Sequence, residues 1–242
     1  MAAKTGGCFP GDAQVILEGG ATKQMRDLHP GERVLASTTT DGHGPLLYSP
    51  VLSFLDRQPN ITKIFYVIGT NAGLNITLTA AHLIFVADCT EELSEPGWEE
   101  TAGGPFLGSK REAKPSQEAG LRTIFASEVQ PRQCVVISQG KGAILSAVTF
   151  VEELKITGLY APLTQHGSIV VNGVLASCYA AVDNHHLAHW VLAPLRFFYS
   201  FMGPSEPQTD GLHWYPWLLQ RLGKMLLDAG HFHPLGIEQG HR

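Results

Sequence analysis

The sequence predicts a mainly β fold, and two observations support this. Of the 242 residues, 44% are hydrophobic and only 16% are charged, a balance that allows a packed core and excludes a disordered chain. The 26 glycines and 15 prolines divide the chain into short apolar runs, as turns separate the strands of a β protein. A formal net charge of -5 without a basic stripe argues against nucleic acid as a partner.

Short strands and tight turns alternate between Cys8 and about Val86. Val15-Ile16-Leu17 is followed by Glu18-Gly19-Gly20-Ala21, which is typical of a hairpin turn. Four further runs rich in β-branched and aromatic residues predict strands at 33–36, 51–55, 64–68 and 83–86.

The second half of the sequence repeats blocks of the first. Between the halves, residues 88–120 carry clustered charges with scattered Pro and Gly, and we predict a long mobile insertion there. The repeated blocks follow the same order: 27–30 resembles 128–131, 52–56 resembles 148–152, and 78–82 resembles 163–166. This order predicts an internal duplication and a pseudo-symmetric β fold.

The pattern changes after about Val182. Residues 186–193 and 195–199 predict helix with a break or a kink at Pro194. The apolar spacing over 214–228 predicts an amphipathic helix that Gly230 ends. No apolar run reaches the roughly 18 residues of a membrane-spanning helix. Two interpretations remain for this region: helices that cap the β core, or an apolar, aromatic surface presented to lipid or sterol.

The four cysteines have no CxxC spacing, so the sequence does not predict a zinc ribbon, a redox dithiol or a disulfide scaffold. Cys134 is expected in the core, and Cys89 begins the insertion without an assigned role. Asn60 and Asn75 begin sequons, which are compatible with glycosylation in a secretory route. The first residues lack a signal-peptide core, so the chain is either cytosolic or the downstream part of a longer precursor.

Cys8 lies between Gly6-Gly7 and Phe9-Pro10-Gly11. Glycine permits strained backbone and close approach, so the thiol of Cys8 has access to the carbonyl of Gly7. Attack there is an N-to-S acyl shift, which converts the amide into a thioester and needs backbone strain and an acid for the departing amine. The alternative is a free structural cysteine near a flexible terminus.

Three further residues have the chemistry that this reaction needs. His82 is suited to polarise the Gly7–Cys8 peptide and protonate its nitrogen, and Thr79 is suited to hold the amide or orient the imidazole. Asp56 is a candidate general base for an attacking hydroxyl, with a pKa that partial burial would raise. The alternatives are a hydrogen-bonded turn histidine for His82 and, for Asp56, a surface ion pair with Arg57 or a turn carboxylate.

Four motifs, at 7–11, 55–57, 78–82 and 173–179, together resemble the C-terminal autoprocessing domain of Hedgehog proteins, in order and over essentially the whole chain. The segments 213–215 and 233–236 are also similar. The resemblance implies a Hint fold, an all-β pseudo-two-fold horseshoe shared with inteins, followed by a helical sterol-recognition region. Residues 1–7 would then be a stub of the amino-terminal signalling domain, 8–182 the Hint domain and 183–242 the sterol-recognition region.

The resemblance also implies the activity. Cys8 is then the nucleophile that cleaves the Gly7–Cys8 bond, Thr79 and His82 form its T-x-x-H motif, and Asp56 is the base for sterol transfer. Cholesterol is the co-substrate, with no other cofactor and no metal, and the chain's own signalling domain is the other partner. Association of 183–242 with a membrane surface, processing in the endoplasmic reticulum lumen, and a secreted or membrane-associated precursor and product are expected.

Three hypotheses remain beside this activity. Cys178 also matches a family position, and we hypothesise that it pairs reversibly with Cys8 in an oxidising lumen; the alternative is a buried free cysteine. Intein splicing needs a terminal His-Asn pair, which the ending 239–242 lacks, so we do not expect it. The chain as a non-enzymatic, lipid-associating secreted module is the alternative function.

Overall fold

The computed structural model describes residues 7–39, 41–89, 120–140, 142–180, 185–202 and 211–212. Nearly all of the predicted insertion and the predicted helix over 214–228 lie outside these ranges, so both stay predictions, as do the domain limits. Within the described ranges, twelve strands join in one hydrogen-bonded sheet, which confirms the mainly β fold.

The strands are β1 Gln14–Ile16, β2 Thr22–Gln24, β3 Arg33–Ser37, β4 Leu46–Thr70, β5 Asn75–Thr79, β6 His82–Asp88, β7 Arg122–Phe125, β8 Gln133–Gln139, β9 Gly142–Thr164, β10 Ser168–Val171, β11 Val174–Ala180 and β12 Gly211–Leu212. Two 3-10 helices, η1 Met25–Asp27 and η2 Ala126–Glu128, precede β3 and β8. Two α-helices follow β11: α1 His185–Val191 and α2 Ala193–Met202.

All strand pairs are antiparallel, and the main path runs β12-β4-β9-β8-β6-β11-β10-β1-β2, with β3 and β5 on β4 and β7 on β6. The predicted hairpin joins β1 to β2, where the N–H of Leu17 donates to the carbonyl of Ala21 at 2.8 Å. Its two glycines have φ values of 104° and 88°, which side chains disfavour.

The duplication is visible in the long strands β4 and β9, which pair with each other over most of their lengths. Each follows a 3-10 helix, a tight turn and a shorter strand, and the two turns have the same hydrogen bonds. The N–H of His29 donates to Glu32 Oε2 at 2.8 Å, and the N–H of Gln130 donates to Gln133 Oε1 at 2.9 Å. The internal duplication predicted from the repeated blocks is therefore confirmed.

One strand is longer than predicted. Residues 51–55 and 64–68 belong to the single strand β4, because a register shift accommodates the segment that contains Pro59. Gln58 is opposite Leu159 and Thr62 is opposite Thr157, so four steps along β4 match two along β9. A bulge of this kind tolerates a proline, which has no N–H for the ladder.

Cys89 and Cys134, to which the sequence assigned no role, form a disulfide with a Cα–Cα distance of 5.2 Å. The core position expected for Cys134 is confirmed, since Cys134 has no exposed surface. The residues are 45 apart in the sequence, and only the pairing of β6 with β8 brings them together. That pairing is not visible in the cysteine spacing.

The two predicted helices are confirmed, but the break between them lies at Leu192 and not at Pro194. Pro194 is the second residue of α2, where a missing N–H breaks no helical hydrogen bond. Among the described helices, none has the length and apolar character to cross a membrane.

Candidate active site

The Gly7–Cys8 peptide lies inside the protein. Cys8 and Phe9 have no exposed surface. The next residue along, Phe9, forms two backbone hydrogen bonds with Tyr160 of β9: its N–H donates at 2.8 Å and its carbonyl accepts at 3.0 Å. The backbone after the thiol is thus fixed as a short extension of the sheet, and a loosely held terminal cysteine is excluded.

Thr79, the last residue of β5, holds the amide of Cys8. The N–H of Cys8 donates to Thr79 Oγ1 at 2.8 Å, and the N–H of Thr79 donates back to the carbonyl of Cys8 at 3.0 Å. Because the hydroxyl oxygen accepts the amide hydrogen, the orientation of the peptide nitrogen is fixed.

His82, the first residue of β6, is fully buried. Its Nε2 lies 2.8 Å from the carbonyl oxygen of Ser177, and since a carbonyl only accepts, Nε2 carries the proton of the neutral ring. Its Nδ1 is buried without a hydrogen-bond partner among the described residues. Burial lowers the pKa of His82 to about 4, against the opposing effect of its hydrogen bond to the Ser177 carbonyl, so the ring is neutral at pH 7.

Gly7 packs directly against His82. A Cβ atom added to Gly7 would lie 2.5 Å from the Cα of His82 and 2.5 Å from the Cβ of Ala180. Neither atom belongs to a flexible chain end, so only glycine fits here. The Gly7–Cys8 peptide is therefore enclosed by Thr79 and His82.

Asp56 of β4 faces the thiol. Only 2% of its surface is exposed, and its Oδ2 lies 3.9 Å from Cys8 Sγ, which donates to it. Burial raises the pKa of Asp56, while hydrogen bonds from Gln58, the Arg57 backbone and the Cys8 thiol lower it. Burial and the nearby Asp56 charge raise the pKa of Cys8 well above its usual range, so the resting thiol is protonated.

Arg57 does not pair with Asp56, so the surface ion-pair interpretation is wrong. Its guanidinium donates to the carbonyl of Arg26 at 2.9 Å and lies 5.2 Å above the ring centroid of Phe54. Gln58, a residue that was not predicted from the sequence, contacts Asp56 instead. The signal was present, because residues i and i+2 of a strand share one face.

A family model described as the Hint module matches residues 1–228. The chain belongs to the Hint family. This Hint module is 47% identical over 244 residues to the Indian hedgehog B protein of Danio rerio, covering 100% of the chain and 54% of that protein. It is 43% identical to the Indian hedgehog protein of Gallus gallus, covering 97% of the chain and 52% of that protein. The chain thus spans about half the length of these curated relatives, and the predicted resemblance is confirmed.

Among solved structures, a DnaB intein from Synechocystis sp. PCC 6803 matches with a TM-score of 0.50 and 13% identity, over 73% of this chain and 99% of that one. At this identity the match shows the fold alone, and it confirms the Hint fold predicted for the chain.

Other predicted site residues of the Hint module lie elsewhere. Cys178 in β11 is buried and unbridged, as is Cys8, and its Sγ lies 3.5 Å from Thr164 Oγ1. Burial raises the pKa of Cys178 to about 11. Pairing of Cys8 with Cys178 stays a hypothesis.

Asn60 and Asn75 are exposed, and their glycosylation stays a prediction. Over the described ranges, no cluster of His, Cys, Asp and Glu has the arrangement of a metal site.

A buried polar network, also missed from the sequence, joins both helices to β11. His185 Nδ1 of α1 lies 2.8 Å from Ser177 Oγ, in the residue whose carbonyl binds His82. Arg196 of α2 is 8% exposed and donates to the hydroxyl of Tyr179 at 2.8 Å. The helices are therefore anchored beside the candidate active site.

The outer surface of these helices is apolar. Trp190, Phe197 and Phe201 are 79%, 74% and 81% exposed. Beyond α2, the backbone of β12 pairs with β4 so that Leu212 is opposite Asp56. Residues 211–212 of the Hint module thus lie beside the strand that carries the buried carboxylate.

Proposed function

We propose that this Hint module cleaves its own chain at Gly7–Cys8 through an internal thioester and transfers the Gly7 acyl group to cholesterol. The family match and the hedgehog relatives support the assignment of the chain as an autoprocessing domain. The observation that carries the proposal is one buried Gly-Cys peptide bond surrounded by a thiol, a hydroxyl, an imidazole and a carboxylate.

In the first step, Cys8 Sγ attacks the carbonyl carbon of Gly7, the C–S bond forms and the C–N bond breaks. The thiol proton ends on the departing amine of Cys8. Thr79 accepts the N–H of Cys8, which directs the developing nitrogen lone pair away from the hydroxyl. In the tetrahedral state, His82 Nδ1 accepts a proton and delivers it to the nitrogen of Cys8. Throughout this step the Nε2–H of His82 stays hydrogen-bonded to the carbonyl of Ser177.

In the second step, the sterol hydroxyl attacks the thioester. Its proton passes to Asp56, the C–O bond forms, and the C–S bond breaks to release the Cys8 thiolate, which then recovers the proton. Burial supports this role for Asp56, because it raises the pKa of the carboxyl and makes it a stronger base. The acyl donor is the chain's own amino-terminal signalling domain.

Two features of the C-terminal region support sterol as the acceptor. The exposed aromatic side chains of α1 and α2 offer an apolar surface for a sterol or for the membrane that contains it. Pairing of β12 with β4 brings the chain that follows these helices to Asp56. We assign no metal and no further cofactor to the reaction.

The proposed location is the secretory pathway, with processing in the endoplasmic reticulum lumen and a secreted or membrane-associated product. The Cys89–Cys134 disulfide supports it, because such bonds persist in oxidising compartments.

The test is a reporter protein fused before Gly7. Incubation with cholesterol should release a reporter whose mass increases by one esterified sterol, and dithiothreitol should release it as a thioester. Cys8→Ala should abolish both reactions, whereas Cys178→Ala, the matched removal of a buried thiol, should retain cleavage in reductant.

A non-enzymatic lipid-associating module is the second candidate, which the exposed aromatic surface favours. It predicts that wild type and Cys8→Ala bind cholesterol-containing vesicles equally and that neither releases the reporter.

A further inference from the structure

Gln58 follows Asp56 by two residues in β4, and both side chains are buried on one face of the strand. Gln58 Nε2 lies 2.8 Å from Oδ1 and 2.9 Å from Oδ2 of Asp56. An ionised carboxylate only accepts hydrogen bonds, so the amide group of Gln58 presents its NH2 to both oxygens.

The charges around Asp56 show why this contact matters. The neighbouring Arg57 guanidinium is turned to Arg26 and the aromatic rings, and across β9 the opposite residue is Ala161. The charge of Lys63 acts to lower the pKa of the Cys8 thiol, and that thiol donates to Oδ2 of Asp56. Among the residues that the structure describes, the side chains that donate to the buried carboxylate are thus an uncharged amide and a thiol.

The contact also restricts rotation of the carboxylate. With both oxygens bound by one NH2, the carboxylate plane is held so that Oδ2 keeps its position 3.9 Å from Cys8 Sγ. Without the amide, Oδ1 and Oδ2 lose the side-chain donor that they share, the Arg57 backbone and the Cys8 thiol continue to donate to the group, and burial disfavours its charged form.

We propose that Gln58 is a positioning residue for sterol transfer, which keeps Asp56 ionised and its Oδ2 directed at the acyl-bearing sulfur of Cys8. This inference rests on the proposed function, because it assumes that Asp56 accepts the proton of the sterol hydroxyl. Gln58 exchanges no proton and touches no reacting atom.

The test compares wild type, Gln58→Glu and Gln58→Leu as reporter fusions, with Gln14→Leu, an exposed glutamine of β1, as the matched control. Cleavage rates are measured from pH 5 to pH 9, once with cholesterol and once with dithiothreitol. Gln58→Glu preserves shape, so it remains informative if Gln58→Leu folds poorly. Removing a donor to the charged form raises the pKa of Asp56.

We expect the acidic limb of the cholesterol reaction to move to higher pH by about one unit in Gln58→Leu and further in Gln58→Glu, where two carboxyl groups share the site. The dithiothreitol profile and the Gln14→Leu profiles should match wild type. Unchanged cholesterol profiles in both Gln58 variants overturn the inference, and so does equal loss of both reactions. A wild-type fusion that never cleaves overturns the proposed function itself.

Discussion

Substituting Gly7 tests the steric basis of the candidate site. In Gly7→Ala, the new methyl carbon would lie 2.5 Å from the Cα of His82, 2.6 Å from its Cβ and 2.5 Å from the Cβ of Ala180. Carbon atoms in contact are normally about 3.5–4.0 Å apart, so the overlap is about 1 Å on two sides. His82 and Ala180 are paired residues of β6 and β11, so neither backbone can readily move away.

The Gly7 carbonyl must therefore move by about 1 Å relative to the thiol and the imidazole. A misplacement of this size reduces rates by about 100-fold, which corresponds to about 3 kcal/mol of activation free energy. The assay is dithiothreitol-driven release of a reporter fused before Gly7, followed by gel electrophoresis at fixed pH. We expect the wild-type rate to fall by about two orders of magnitude.

The matched control is Gly142→Ala, whose added Cβ would meet the carbonyl oxygen of Gln139 at an ordinary 3.4 Å. This variant should cleave at the wild-type rate. If Gly7→Ala also cleaved within a few-fold of wild type, the peptide would not be held against His82 as the structure has it, and the steric argument would be wrong.

Three further predictions concern charge and covalent structure. Asp56→Ala should slow cholesterol-dependent cleavage by about 100-fold or more while dithiothreitol-driven cleavage continues; loss of both would make Asp56 structural. The free energy of unfolding should fall as pH decreases from about 6.5 to about 4, because His82 is held neutral when folded and binds a proton when unfolded. Chemical denaturation at a series of pH values measures this dependence, and the slope of the unfolding free energy against pH should be shallower by one proton in His82→Asn. Cys89→Ser should lower the free energy of unfolding by about 2–4 kcal/mol in oxidising buffer and by much less with reductant present. Equal losses in both buffers would exclude the disulfide as the cause.

Features set by local chemistry could be predicted from the sequence. The β1–β2 turn depends on two adjacent glycines that accept positive φ, and the repeated turns depend on a side chain at Glu32 or Gln133 that caps a nearby N–H. Such contacts span a few residues, so their pattern is readable along the chain.

Features set by strand pairing could not be predicted. The Cys89–Cys134 disulfide depends on the β6–β8 register, and the anchor of His82 is a main-chain carbonyl, a group that every residue carries. The residue type of Ser177 describes its side chain and gives no indication that its main-chain carbonyl binds His82. Gln58 is the intermediate case, since the strand period indicates its face but not the burial that makes its contact with Asp56 important.

The position of Asp56 suggests how one carboxylate serves a two-step reaction. Before cleavage, Cys8 carries a thiol hydrogen that Asp56 Oδ2 accepts. In the proposed thioester, the sulfur has lost that hydrogen, so Oδ2 loses a donor while both oxygens remain bound to Gln58. The carboxylate then becomes a stronger base, because one of the hydrogen bonds that lower its pKa has gone, and an acyl carbon lies on the adjacent sulfur. In the proposed reaction, the first step thereby prepares the base for the second.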